Sequence, residues 1–313
     1  MARFLSTEPV LLNLPTAISV LPERGSMIRA HSVLSSPGGG YLGMVAVSRM
    51  DVETGMLSML GTGPNSFMIR RDLKRNGVKI LTNEAIGDIG VAIQLVEDGG
   101  DTTVIISSGV EADLSIDQVK QVELLEGDVL LVHGSAIGEG EAGEQFASWV
   151  AGIEDFVKVV LAPSPLIDQI DPNLWEPMLR RADILTMNKR ETSLLPKMLK
   201  LTESAPELED LLKPDCIQVT RLGSDGCKYR IGDVEKELPA FQTKSVDTTG
   251  VGSVHVAVMC GALARGQSID DALFMANAAG AVMVSHTYAF PVPSMREIAD
   301  LMTFGVEGSG APS

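Results

Sequence analysis

This chain lacks any apolar run long enough to cross a bilayer: none of its 313 residues belongs to a stretch approaching the ~18 apolar positions that a membrane-spanning helix needs. Positive charge is also short. Only 25 Lys and Arg stand against 41 Asp and Glu, for a formal charge of −16. A nucleic-acid or anionic-membrane surface wants clustered cations, so both partners are set aside. A nucleotide is not excluded, because backbone donors can bind a phosphate whatever the global charge. Cysteine is scarce as well. Cys216, Cys227 and Cys260 show neither metal-ligand nor disulfide-framework spacing, and an odd number suits reduced thiols in the core. The first residues, with Arg3 and then Glu8 ahead of a short apolar stretch, do not read as a secretory leader. The expectation is a cytoplasmic protein.

What is present describes an α/β chain. Hydrophobic residues make up 45% and charged residues 21%, with 31 glycines, enough to bury one large core or two ordinary ones. Val10 to Ser36 reads as short strands and turns broken by Pro15, Pro22 and Gly25. A second β-like pair, Val91–Val96 and Thr102–Ser107, flanks the turn signal Asp98 to Gly100. Between them lie helix candidates at Gly43–Arg49 and Ser66–Arg75 and a strand near Met56–Leu60.

From Val129 onward strands and helices alternate: Val129–Val132, Glu141–Ile153, Val157–Ala162, Leu174–Arg181, Ile184–Met187 and Cys216–Thr220, then helices around 254–265 and 270–285. Continuous apolar strands separated by helices predict a three-layer α/β/α sandwich with a mostly parallel central sheet. The β-rich pieces, about 10–36 and 88–110, then form a small β lid on a single 1–313 domain. The Gly/Ser/Pro-rich tail after Gly305 reads as loose.

The most telling segment is Asp247-Thr248-Thr249-Gly250-Val251-Gly252-Ser253, followed at once by an apolar helical run. Two glycines one residue apart let backbone N–H groups turn toward a ligand, and a helix start with its dipole favours an anion. Gly250, Val251 and Gly252 are therefore the candidate anion hole. Upstream, Asn188 to Glu191 forms Asn-x-x-Glu at the end of a strand, and Thr220, Gly223 and Gly226 form Thr-x-x-Gly-x-x-Gly. Asn277 lies in an Ala/Gly-rich helix. Each has a plainer reading beside the functional one. Asn188 can simply cap a helix carrying Glu191 in its first turn. The two glycines can make a hairpin turn, and Asn277 can be a satisfied core amide.

In this order and spacing the four motifs resemble the ribokinase-like (PfkB) family of sugar and nucleoside kinases, clearly over roughly 128–303 and more weakly before. The resemblance implies phosphoryl transfer from ATP with Mg²⁺ to a small hydroxylated substrate. It places Asn188, Thr220, Gly223, Gly226 and Asn277 around the nucleotide and Glu191 on Mg²⁺ through water. It also places Asp247 and Thr249 at a monovalent cation such as K⁺, and suggests a homodimer through the β lid.

Departures from the family pattern open a second reading. Where active members carry the general-base Asp, this chain has Ser253, a residue that cannot take that proton unaided but is a good helix N-cap. His255, two residues on, projects about 200° around the helix and should face the packing side. The substrate half differs too. Gly38-Gly39-Gly40 lacks the usual Asn after it, Asn65 stands near an expected acid, and no Asp precedes Asp51, leaving Asn13 and Thr16 as the nearest polar groups. Gly39, Gly40 and Asn65 are the candidate substrate contacts. The alternative is a non-catalytic nucleotide- or phosphometabolite-binding pseudokinase with a regulatory role.

Overall fold

Three residues near the start, Phe4–Ser6, form a strand at the centre of the molecule although they are too few to show a period. In the computed structural model, which describes residues 2–99, 102–199, 206–286 and 292–305, this strand joins a nine-stranded sheet. From one edge the order is Val234–Leu238, Gly226–Ile231, Ile217–Gly223, Ile184–Asn188, Lys158–Ala162, Val129–His133, Phe4–Ser6, Thr54–Met56 and Lys79–Ile80. The pairings are parallel from Ile217–Gly223 to Lys79–Ile80, and the first two strands are antiparallel additions.

Alternation along these strands builds two cores. Val129 and Leu131 pack into one apolar cluster with the helices Gly40–Ser48, Val251–Ala264 and Ile269–Val284. Leu130 and Val132 pack into the other with Gly140–Ala151 and Trp175–Arg181. Side chains of successive strand residues point to opposite faces, so a run of apolar residues covered on both sides is what a buried parallel sheet requires. The architecture is the three-layer α/β/α sandwich expected.

A smaller sheet stands beside it. Val10–Ile18 pairs with Ser32–Val33 and Ser36–Gly39 on one side and with Val91–Glu97 on the other, which pairs in turn with Thr102–Ser107. Against the expected segments of about 10–36 and 88–110, its strands span Val10–Ile18 to Ser36–Gly39, running past the first, and Val91–Glu97 to Thr102–Ser107. Period 2 sorts its faces. Leu11, Asn13, Ala92, Gln94, Val104 and Ile106 line a cavity toward the large sheet, while Ile93 and Ile105, paired across the strands, lie on the opposite face.

Several boundaries differ from the sequence expectation. The helix read from Gly43 begins at Gly40, the strand near Met56–Leu60 is Thr54–Met56, and among the described residues a further helix, Met295–Phe304, follows the two expected near the end. That last helix carries a Ser294–Glu297 capping box. The exposed, charged strand Val234–Leu238 has no apolar run to announce it. Gly100 of the turn signal and the tail beyond Gly305 lie outside the described residues.

Candidate functional site

The carboxyl ends of the parallel strands face the N-terminus of the Val251–Ala264 helix, the place where open α/β sheets bind ligands. Two cavities meet there. One, about 380 Å³, lies under the small sheet and includes Glu8, Asn13, His133, Ser164, Glu191 and Ser253 in its wall. The other, about 640 Å³, lies between the Gly223–Gly226 turn, Phe241 and Asn277. Asn188, Arg221 and Gly252 line both.

The anion loop is shaped by Gly250, which sits at φ 72° in the left-handed region and caps the helix. A β-carbon there would be strained and would run into the Leu42 side chain. Of the first-turn amides, that of Val251 donates to the Thr248 carbonyl at 3.4 Å, while those of Gly252 and Ser253 belong to the group a helix leaves without intrahelical acceptors, and Gly250 and Gly252 reach the smaller cavity. The start at Gly250 corrects the reading of Ser253 as N-cap. Ser253 lies three residues inside, and its hydroxyl donates to Glu8 Oε1 at 2.6 Å.

Glu8 is the residue the sequence reading passed over. It lies two residues beyond the central strand and is only 5% exposed, while the family pattern carries Asp on the substrate side. His133 Nε2 lies 3.9 Å from the same carboxylate oxygen. His133 Nδ1 accepts the Ser135 amide at 3.3 Å, which assigns the neutral ring proton to Nε2.

Asn188 and Glu191 form a complete capping box. Asn188 Oδ1 accepts the Glu191 amide at 2.8 Å, and Glu191 Oε2 accepts the Asn188 amide at 2.8 Å. Glu191 Oε1 also accepts from Asn188 Nδ2, and Oε2 from Arg221 Nη2 at 2.9 Å. Both residues still line the cavities, so the capping role and the site position coexist. Three of a carboxylate's roughly four acceptor positions are taken.

Arg221 is the other residue missed. The motif reading selected Thr220, which lines neither cavity, whereas its strand neighbour Arg221 lines both. The Arg221 side chain is 16% exposed, its Nε has no hydrogen-bond partner, and a β-carbon on Gly252 would lie 3.0 Å from its Nη1. A guanidinium thus stands against the anion loop, anchored by Glu191. Burial lowers its pKa while Glu191 pulls the other way. No cue separated it from Thr220, because alternation along one short strand has two equally good phases.

Gly223 and Gly226 line the larger cavity and also close the hairpin read from their spacing. Asn277 is a satisfied core amide at the wall of the same cavity. Its Oδ1 faces His255 Nε2 at 3.0 Å, and its Nδ2 donates to the Leu238 and Pro239 carbonyls. His255 is buried, but it lines the larger cavity rather than facing wholly to the packing side. Burial first, then the Arg221 charge, lowers its pKa to about 4 against the opposing Asn277 bond.

On the substrate side the candidates separate. Gly39 lines the smaller cavity. Gly40 does not; a β-carbon there would meet the Glu8 carbonyl at 2.6 Å, so its bareness serves close packing against Glu8. Asn65 lines neither cavity, because its amide is held by Asp88 at the start of the Pro64–Arg75 helix. Asn13 is in the cavity wall, while Thr16 bonds its own strand at the Leu14 carbonyl. Asp247 Oδ1 accepts the Thr249 amide at 2.8 Å, and Thr249 reaches the smaller cavity.

Comparison with known proteins extends the match beyond the second half. The chain is 28% identical over 284 residues to an uncharacterised sugar kinase, YegV, of Escherichia coli, covering 89% of this chain and 87% of that one. It is 27% identical over 290 residues to the ribokinase of Bacillus subtilis, covering 90% and 93%. Ribokinase from Thermotoga maritima superposes with a TM-score of 0.80 at 20% identity, over 96% of this chain and 99% of that one. A ribokinase from Arabidopsis thaliana complexed with ribose and ATP gives 0.73 at 22%, over 97% and 100%. The sequence pattern of pfkB family carbohydrate kinases matches residues 14–294, and the chain belongs to that family.

Proposed function

We propose that this protein transfers the γ-phosphoryl group of ATP to a hydroxyl of a small sugar- or nucleoside-like acceptor in the cytoplasm. The observation that carries the reading is the meeting of the two cavities at Asn188, Arg221 and Gly252. A nucleotide in the larger cavity would have its base near Phe241 and Asn277 and its phosphates directed at the helix start. An acceptor in the smaller cavity would face the same point. Phosphoryl transfer is mostly positioning and charge stabilisation, and two fixed elements supply it here: the amides of Gly252 and Ser253, and the Arg221 guanidinium.

Among the described residues no group of three or more His, Cys, Asp or Glu could hold a metal ion. The arrangement fits Mg²⁺ carried in by the nucleotide, since Mg²⁺ keeps its waters and needs few protein carboxylates. Glu191, with about one acceptor position open, would hold it through water. Bound Mg²⁺ would neutralise phosphate charge. Asp247 and Thr249 remain our proposal for a monovalent cation.

The acceptor cavity is mostly apolar, with Leu11, Leu42, Val104, Ile106 and Val256 in its wall. That favours an acceptor with an apolar or planar face beside its hydroxyls, because buried hydroxyls left unpaired cost ~1–3 kcal/mol each. The opposing reading, a nucleotide-binding protein without turnover, rests on Ser253. Thermal-shift and ATP-consumption assays separate the two. ADP or ATP with Mg²⁺ at ~100 times its Kd should stabilise the protein by about 2.7 kcal/mol, and Arg221→Met should lower kcat at least tenfold with the ADP shift retained. No nucleotide shift sinks both readings. A shift without ATP consumption on any sugar or nucleoside leaves only the pseudokinase.

A further inference from the structure

We infer that Glu8 is the general base of the transfer, a step that rests on the kinase reading above. A hydroxyl that attacks the γ-phosphorus must lose its proton, so a proton acceptor has to stand in the acceptor cavity beside the helix start. Four ionisable side chains line that cavity: Glu8, His133, Glu191 and Arg221. Arg221 is a fixed cation. Glu191 has three of its roughly four acceptor positions filled by Asn188 and Arg221 and is ion-paired to that guanidinium. His133 presents a protonated Nε2 toward the cavity carboxylate, because its Nδ1 is engaged by the Ser135 amide. Glu8 alone is left to receive a proton.

Its placement agrees with the role. The carboxylate is held from the anion-loop helix itself, by the Ser253 hydroxyl at 2.6 Å. Gly40, bare of a side chain, packs closely on the Glu8 carbonyl and Cβ. The nearly buried carboxylate has one short hydrogen bond, from the Ser253 hydroxyl, with His133 Nε2 at 3.9 Å, so most of its acceptor positions stay open toward the cavity. That suits a group whose missing partner is the acceptor. Position 253 therefore keeps a part in the chemistry. Ser253 is the positioning residue, and the acid has moved across the cavity from the helix to the end of the central strand.

In the step assigned to it, Glu8 removes the proton of the acceptor hydroxyl as the acceptor oxygen bonds the γ-phosphorus of ATP. The bond from that phosphorus to the β,γ-bridging oxygen breaks, and its electron pair leaves on ADP. The proton on Glu8 then passes to solvent, so the products are the phosphorylated acceptor, ADP and one proton.

The test uses purified full-length protein, ATP with Mg²⁺, and a panel of ribose, fructose and inosine as acceptors. Glu8→Gln keeps the shape and the Ser253 contact. It should lower kcat by ~10²–10⁴-fold with the ADP-induced rise in Tm intact, which shows the variant is folded and loaded. Adding Ser253→Asp to Glu8→Gln returns a carboxylate to the cavity from the helix side and should recover at least tenfold over Glu8→Gln. Ser253→Ala should lower kcat more than it changes KM, with rescue by Ser253→Thr. A Glu8→Gln rate within threefold of the wild type overturns the assignment and leaves the kinase reading standing. Should Glu8→Gln not fold, Glu8→Ala replaces it: a rate within threefold of the wild type overturns the assignment, and a loss recovered by added formate supports it. Wild-type ATP consumption at background with every acceptor, while ADP still raises Tm, overturns the kinase reading itself.

Discussion

A single hydrogen bond, Ser253 to Glu8, changes the meaning of the residue that looked most damaging to activity. His255 shows the reverse case, a histidine near the site whose chemistry is that of the core. Its pKa is lowered to about 4, so it is neutral when folded and must charge when unfolded at mildly acid pH. The unfolded chain then binds the extra proton between about 6.5 and 4, and stability falls as pH drops through that window. The full gap corresponds to roughly 3 kcal/mol, of which about 2 kcal/mol is lost by pH 5. Urea unfolding of His255→Gln, which can still donate to Asn277, should show that portion of the pH dependence removed. An unchanged slope between pH 7 and 5 would refute it.

At the scale of elements, two helix starts carry the site, and each depends on a residue chosen for the backbone. Gly250 begins the anion-loop helix in a left-handed conformation. Gly250→Ala should cost at least ~1–2 kcal/mol of stability and weaken nucleotide binding together, measurable by urea unfolding and by the lost ADP shift. Asn188 begins the Lys189–Met198 helix with a reciprocal capping box. Asn188→Ala should destabilise by about 1 kcal/mol and loosen the Glu191–Arg221 pair, so a fall in kcat accompanies the fall in stability. The short strand Phe4–Ser6 belongs here too. Three residues hold no readable period, yet parallel pairing with Thr54–Met56 and Val129–His133 places it mid-sheet and sets Glu8 at its end.

For the whole molecule, the small sheet has one face over the acceptor cavity and another with Ile93 and Ile105 exposed, Ile105 by 54%. Apolar residues clustered on an open sheet face mark an association surface, and we propose that two copies pair through it. Light scattering should then give a dimer for the wild type and a monomer for Ile105→Lys; a monomeric wild type would refute the pairing. No helix among the described residues is long and apolar enough to cross a membrane.

The order of apolar strands and helices from Val129 onward, and the glycine spacing ahead of the Val251–Ala264 helix, determined the layered fold and the turn that starts that helix from sequence alone. Both are local patterns: periodic burial and backbone freedom are written in neighbouring residues. What only the tertiary structure decided was the acceptor side. Glu8 and Ser253 are 245 positions apart, and Arg221 was indistinguishable from Thr220 until the phase of its strand was set by packing. A site assembled from the ends of several strands depends on register and topology, which no short window of sequence contains. The glycine loop that first read as a catalytic signature missing its acid is, in the folded chain, a cradle with a carboxylate brought to it from the opposite wall.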